Sequence, residues 1–246
     1  MRIGIIGASG RVGTRLIEAI LASPGLELAA ALVSPGSPLI GKPVAGALEY
    51  RPAEKTIRSH CDVMIDFSTP AASLAFQDLL GDQRLPVVIG TTGFTVADDA
   101  ALTAHASARP LLVSANFAHG FEAFKQTALG FASKMPGAEP QVIETYYARK
   151  KADPSGTSKM LASEIAAVRS LAMGFAAPET PIAVNREGDT VGINEVRFNL
   201  GSAEAAFHFT VHTLAAYAEG AIAAAQWLVT QAPPPGRYSL ADSLTR

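Results

Sequence analysis

Two stretches of this chain carry residue types whose spacing could do chemistry. The first is Gly7-Ala8-Ser9-Gly10-Arg11-Val12-Gly13, directly after a short β-branched run and directly before an amphipathic stretch. A glycine-rich turn between a first strand and a helix lets the backbone approach a pyrophosphate closely. The helix start supplies N–H donors there, and a third glycine allows helix and strand to pack tightly. Gly7, Gly10 and Gly13 form GxxGxxG, a variant of GxGxxG, and its context points to a dinucleotide. The bland reading is turn chemistry alone.

The second stretch is Glu144-Thr145-Tyr146-Tyr147-Ala148-Arg149-Lys150-Lys151-Ala152-Asp153-Pro154-Ser155-Gly156-Thr157. It sets three cations, a serine, a glycine and a threonine where a helix begins. Unpaired N–H groups and the positive dipole end of that helix, together with Lys150, would hold carboxylate oxygens. The competing reading makes Ser155 or Thr157 an N-cap and the lysines a solvated face.

Behind these stretches lies a pattern of alternating short strands and longer amphipathic segments, which indicates βαβ units and a parallel sheet. Strands are expected at Arg2–Ile6, Leu26–Val33, Asp62–Phe67, Pro86–Gly90 and Pro110–Ser114, with crossing helices at Arg11–Ala22, Pro70–Leu80 and Val96–Ser107. A helix near Gly120–Met135 follows, then a strand at Gln141–Tyr147 and a helix from Thr157. Ile182–Asn185, Thr190–Leu200 and Ala203–His212 read as consecutive antiparallel strands, with Gly201-Ser202 as a turn. A last helix at Thr213–Thr230 is expected to return to the first unit, and Pro233–Gly236 to be a turn before a short tail. The fold class is therefore α/β: a Rossmann parallel sheet over 1–117, closed by 213–246, plus a smaller α+β substrate and oligomerisation unit with a mixed sheet over 118–212.

Composition narrows the class. With 20 Lys and Arg against 22 Asp and Glu, the net charge of -2 offers no basic excess, so nucleic acid is not an expected partner. The single cysteine, Cys61, forms no internal disulfide, and no Cys/His spacing suits a metal. The apolar run at the start is too short for a signal peptide, and later Ala-rich stretches are interrupted, so a cytoplasmic protein without a membrane span is expected. The second strand ends Ala31-Leu32-Val33-Ser34-Pro35, without the carboxylate that takes ribose hydroxyls. Ser34, with Arg11 and Lys42 near, suits a 2′-phosphate, which favours NADPH over NADH.

At this point the chain resembles the dihydrodipicolinate reductases, enzymes of lysine and diaminopimelate biosynthesis that reduce a cyclic dicarboxylate. The resemblance rests on the loop at Gly7–Gly13, Asp66-Phe67-Ser68, Gly90-Thr91-Thr92-Gly93-Phe94, Ala115-Asn116-Phe117 with Gly120, and Lys150 followed by Pro154-Ser155-Gly156-Thr157. It implies an NAD(P)H-dependent reductase of a small anionic substrate, a cyclic imine or unsaturated dicarboxylate, commonly assembled as a homotetramer. It further implies a cofactor site of Gly7, Ser9, Gly10, Arg11, Val12, Gly13, Ser34, Phe67, Gly90, Thr91, Thr92, Ala115, Asn116 and Phe117, the last group lining the nicotinamide. Tyr147, Lys150, Ser155, Gly156 and Thr157 are the expected substrate ligands.

Three departures stand out. The family has two adjacent histidines after its glutamate, the first its proton donor, where this chain has Tyr146 and Tyr147. An arginine that binds substrate at the start of the last helix is replaced by Leu214, and the usual Asp-Ala before proline is Ala152-Asp153. Hydride transfer to a conjugated imine needs an acid beside the site of the developing carbanion. Tyr146, its pKa lowered by Lys150 or Arg149, His119, Lys150 and solvent are the candidate donors. A paralogue acting on a different imine, and a dinucleotide-binding module without turnover, are the alternative readings.

Overall fold

The computed structural model describes residues 1–54, 56–57 and 60–244; the last two positions of the closing segment expected at 213–246 lie outside them. The chain divides into two compact units, Met1–Ala118 with Leu214–Arg246, and His119–Thr213.

The first unit opens with β1 (Arg2–Ile6), α1 (Arg11–Ala22) and β2 (Glu27–Leu32). It continues with β3 (Pro43–Ala45), β4 (Leu48–Arg51), β5 (Val63–Asp66), α2 (Pro70–Leu80), β6 (Val87–Ile89), α3 (Val96–His105) and β7 (Pro110–Val113). In the second unit come α4 (Phe121–Lys134), β8 (Glu139–Tyr146), α5 (Gly156–Met173), β9 (Ile182–Arg186), β10 (Gly192–Asn199) and β11 (Glu204–Val211). The chain then returns to the first unit with α6 (Ala215–Gln231) and β12 (Gly236–Tyr238).

The first unit is built on an eight-stranded sheet in the order β12-β7-β6-β5-β1-β2-β4-β3. All pairings are parallel except β3 with β4. Central strands such as β5, buried on both faces, read as continuous apolar runs because helices cover each side. Leu16, Ile17 and Ile20 of α1 pack on one face with Ala218, Ala221, Ala225 and Leu228 of α6. Phe76 and Leu80 of α2 and Leu102 of α3 cover the other. The strand order reverses on either side of β1, and ligands of such sheets bind outside the strand ends at that point.

Three strands differ from the sequence expectation. β3, β4 and β12 are three or four residues long, and their pairing comes from neighbours rather than from any local period. Gly236–Tyr238, expected to be part of a turn and tail, extends the sheet beside β7.

The second unit is a four-stranded sheet in the order β11-β10-β8-β9. The expectation that β9, β10 and β11 pair consecutively holds for β10 with β11 and is corrected for β9, which lies parallel to β8, while β10 flanks the other edge of β8. The cause is the 187–191 loop, which looks like a hairpin connection in sequence but crosses the end of β8. Glu187 N–H donates to the Tyr146 carbonyl (2.8 Å) and Ala148 N–H to that of Gly188 (2.9 Å). The β8-α5-β9 crossover thus makes a parallel pair, as such crossovers do. One face of the sheet packs Val142, Val196 and Phe198 against Phe121, Ala128, Leu161 and Ile165 of α4 and α5.

Candidate active site

In the first unit the glycine turn is sterically determined. Gly7 has φ +78°, and a Cβ there would meet the Phe67 carbonyl oxygen at 2.4 Å. A Cβ on Gly13 would meet the Gly7 carbonyl oxygen at 2.2 Å, so α1 rests directly on the turn. Gly10 is the N-cap of α1 and offers no side-chain acceptor, which leaves the helix start available to an anion. Gly7, Ser9 and Gly10 line a groove of ≈ 530 Å³ that continues along Val33, Ser34, Pro35, Ala53, Phe67, Ser68, Thr69, Ala72, Ala75, Phe76 and Leu79. A bare-amide cradle opening into a largely apolar groove fits a dinucleotide, with pyrophosphate at the turn and an aromatic base beyond. Ser34 is exposed in this groove; Arg11 and Lys42 are exposed but do not line it.

The strand ends beyond the groove are tied together by a residue that the sequence reading quoted only as part of a motif. Asp66, fully buried at the end of β5, accepts from Ser68 N–H (3.0 Å), the Ser68 hydroxyl (2.6 Å) and the Thr91 hydroxyl (3.0 Å). Thr91 Oγ1 also accepts from Ser68 N–H at 2.9 Å. Burial pushes the Asp66 carboxyl above its ordinary value, against the hydrogen bonds from Ser68, Ser73 and Thr91. These bonds couple the turn after β5 to the turn after β6. There a Cβ on Gly90 would meet the Phe67 ring at 2.3 Å. Phe67 in turn packs edge-on to Phe117, centroids 5.8 Å apart. Asn116 is buried, its Oδ1 taking the Ala118 N–H at 2.9 Å. Gly220 of α6 was also missed: a Cβ there would meet the Phe117 carbonyl oxygen at 1.6 Å, so glycine alone lets α6 seat against this strand end. A lone glycine in an alanine-rich helix was the available signal. Val12, Thr92 and Ala115 flank these turns without lining the groove.

In the second unit, Glu144 of β8 is fully buried and organises the polar loop. Its carboxylate accepts from Ser155 N–H (2.9 Å), from the Ser158 hydroxyl and from Arg186 (2.9 Å). Arg186 also donates to the carbonyls of Lys151 and Asp153 at 2.7 and 3.1 Å, pinning the loop between β8 and α5. Burial raises the Glu144 pKa, but hydrogen bonds from Ser155, Ser158 and Arg186 outweigh it and hold the group below its usual value. Ser155 is the N-cap of α5, its hydroxyl accepting from Ser158 N–H at 3.2 Å. The N-cap reading therefore describes its side chain, and Thr157 is buried beside it.

The lysine face is not simply solvated. Lys150 Nζ stands 3.2 Å from the Tyr146 ring centroid, and the Arg186 guanidinium lies 5.9 Å from the same ring. The Tyr146 hydroxyl, by contrast, is buried and reaches Asn194 Oδ1 at 3.4 Å. Burial, the dominant influence, raises its pKa. This corrects the expectation that Lys150 or Arg149 lowers the phenol pKa: Lys150 meets the ring face, and Arg149 is exposed. Tyr147 is half-buried. His119 is exposed at the start of the second unit, and Leu214 immediately precedes α6 in the first. Among the described residues there is no His/Cys/Asp/Glu cluster suited to a metal, and no helix is long and apolar enough to cross a membrane.

The family model for the N-terminus of dihydrodipicolinate reductase matches residues 1–117, and that for its C-terminus matches residues 120–244. The chain belongs to the dihydrodipicolinate reductase family. It is 34% identical over 258 residues to the 4-hydroxy-tetrahydrodipicolinate reductase of Saccharophagus degradans, covering 94% of each chain. To the enzyme of that name from Anaplasma marginale it is 32% identical over 272 residues, covering 99% of each. Among solved structures, the dipicolinate-bound dihydrodipicolinate reductase from Paenisporosarcina sp. TG-14 shares the fold, with a TM-score of 0.76 at 20% identity over 100% of this chain and 99% of that one. Membership of this family makes the chain an NAD(P)H-dependent oxidoreductase by descent.

Proposed function

We propose that this family member reduces a cyclic imine or unsaturated dicarboxylate of the 4-hydroxy-tetrahydrodipicolinate type with NAD(P)H, and that it prefers NADPH. The observation that carries the reading is the steric demand for glycine at positions 7 and 13, which keeps a bare-amide cradle at the groove. Gly7, Ser9 and Gly10 would hold the pyrophosphate there, and Ser34, free of a carboxylate, the 2′-phosphate. Phe67, Gly90, Thr91, Asn116 and Phe117 line the turns that would hold the nicotinamide ring, whose chemistry is hydride supply. In the second unit, Lys150 and the N-terminus of α5 at Gly156 and Thr157 bind the substrate carboxylates, with Tyr147 beside them. The Tyr146 ring orients the Lys150 ammonium, and Lys150 supplies the proton. A buried phenol with a raised pKa gives up a proton reluctantly, which counts against Tyr146 as the acid.

A second reading is a paralogue that reduces a different imine. Its basis is that Tyr146 and Leu214 stand where the family places an acid and a substrate arginine. The sheet face bearing Ile143, Thr145, Ile193 and Arg197, each half-buried, is the surface we assign to homotetramer assembly. The protein acts in the cytoplasm. The test is oxidation of NADPH and NADH by purified protein with freshly generated dihydrodipicolinate and a panel of cyclic imines. Turnover with dihydrodipicolinate supports the first reading, and turnover only with another imine supports the second. Saturable cofactor binding without oxidation in any case would leave a binding module.

A further inference from the structure

We propose that a cavity at the far end of the second unit, built around Arg169, is a binding site for a free α-amino acid. The cavity has a volume of ≈ 440 Å³ and is lined by Glu139, Pro140, Gln141, Arg169, Pro178, Glu179, Pro181 and Asn199. Arg169, on α5, is 6% exposed. Its Nε donates to the Pro136 carbonyl at 2.9 Å, and among the described residues that is its only hydrogen bond. Arg169 lines the cavity, and among the described residues its Nη groups have no hydrogen-bond partner.

Arginine stays charged at any physiological pH and presents a planar fork that matches a carboxylate. A guanidinium so deeply buried with its fork unpaired is costly unless an anion or water completes it. A carboxylate ligand is the complementary group. The rim selects what that carboxylate is attached to. Glu139 and Glu179 place two negative charges beside one positive charge, and Glu139 is oriented by Asn199 Nδ2 at 3.3 Å. That arrangement repels phosphate and dicarboxylates and offers acceptors to an ammonium. A molecule carrying one carboxylate and an amine satisfies both halves, and the volume suits one of amino-acid size. The dicarboxylate proposed as the reductase substrate has the wrong charge for this cavity, so the two sites are chemically distinct.

The test is isothermal titration of the purified full-length protein, without cofactor, using L-alanine and L-lysine as probes and acetate and inorganic phosphate as controls. Both amino acids are expected to bind saturably and to compete, with acetate and phosphate weaker. Glu179→Gln, on the exposed rim, should leave the unfolding temperature unchanged and weaken amino-acid binding by at least about threefold. Arg169→Gln should weaken it by more than about tenfold. Glu179→Gln keeps the test decisive if Arg169→Gln fails to fold. The proposal is overturned if neither amino acid gives a saturable signal, if Glu179→Gln binds them as the parent does, or if acetate or phosphate binds as tightly. Because no nucleotide or imine enters the assay, its failure leaves the reductase reading intact.

Discussion

Lys150 and Tyr146 meet face-on, the ammonium 3.2 Å from the ring centroid, while the tyrosine hydroxyl is turned toward Asn194. The ring and the hydroxyl of this one side chain therefore have separate consequences. A cation over an aromatic face gains ~0.5–2 kcal/mol, and it does so through the ring alone. Tyr146→Phe is expected to keep kcat within about twofold, whereas Tyr146→Leu should raise KM by about 2- to 30-fold. Steady-state kinetics on both variants checks this. A loss of kcat in Tyr146→Phe by about 100-fold or more would return the phenol to the role of acid.

Glu144 and Arg186 form a pair with side chains 0% and 14% exposed, and breaking such a pair costs about 3–5 kcal/mol. Glu144→Gln should lower the thermal midpoint and raise substrate KM, because the loop that carries Lys150 loses its anchor. The sign with pH follows from the lowered pKa of Glu144. Its contribution is complete above the unfolded value of about 4.3 and is lost as pH falls through the lower folded value. Thermal scans on acidification should show this loss in the parent and a shallower acid limb in Glu144→Gln.

Asp66 supplies one oxygen to three donors at the cofactor-side turns. Asp66→Ala takes this acceptor from the Ser68 and Thr91 hydroxyls, at about 1–3 kcal/mol for each donor left buried, while the Ser68 N–H keeps Thr91 Oγ1; Asp66→Asn retains an acceptor oxygen. The Kd for NADPH, read by fluorescence titration, should therefore rise more in Asp66→Ala than in Asp66→Asn. Equal values in the two variants would show that these bonds do not set the cofactor site.

Alanine in place of glycine inside a helix usually adds about 1 kcal/mol of stability. At Gly220 the sign should reverse, because the new Cβ would stand 1.6 Å from the Phe117 carbonyl oxygen. A loss of about 1–3 kcal/mol or more is expected for Gly220→Ala by denaturant unfolding, with weaker NADPH binding as Phe117 shifts.

Ser34 stands two residues beyond the end of β2, where a carboxylate would take ribose hydroxyls and repel a 2′-phosphate. Ser34→Asp should shift the kcat/KM ratio from NADPH toward NADH by at least about tenfold. An unchanged ratio would place selectivity elsewhere in the groove.

Local pattern determined much of this protein by itself. The helices at Arg11–Ala22 and Pro70–Leu80 are legible residue for residue, because their apolar spacing and the flanking Gly10 and Thr69 act over one or two turns. The glycine turn and the family were legible for the same reason, since contiguous residues carry both. Only the tertiary structure decided the partners. β3, β4 and β12 exist because neighbouring edges accept them, and β9 lies against β8 because a loop crosses that strand's end. Spacing placed Tyr146 and Lys150 near each other but could not say whether the cation would meet the hydroxyl or the ring. The hydroxyl instead meets Ser155 and Thr157 and, 48 residues further along, Asn194. Arg186 pins the loop of Lys151 and Asp153 from a separate strand, and Gly220 admits Phe117 from the far end of the chain. Hydrogen bonds and steric exclusion act through space over a few ångströms, so residues far apart in sequence set them.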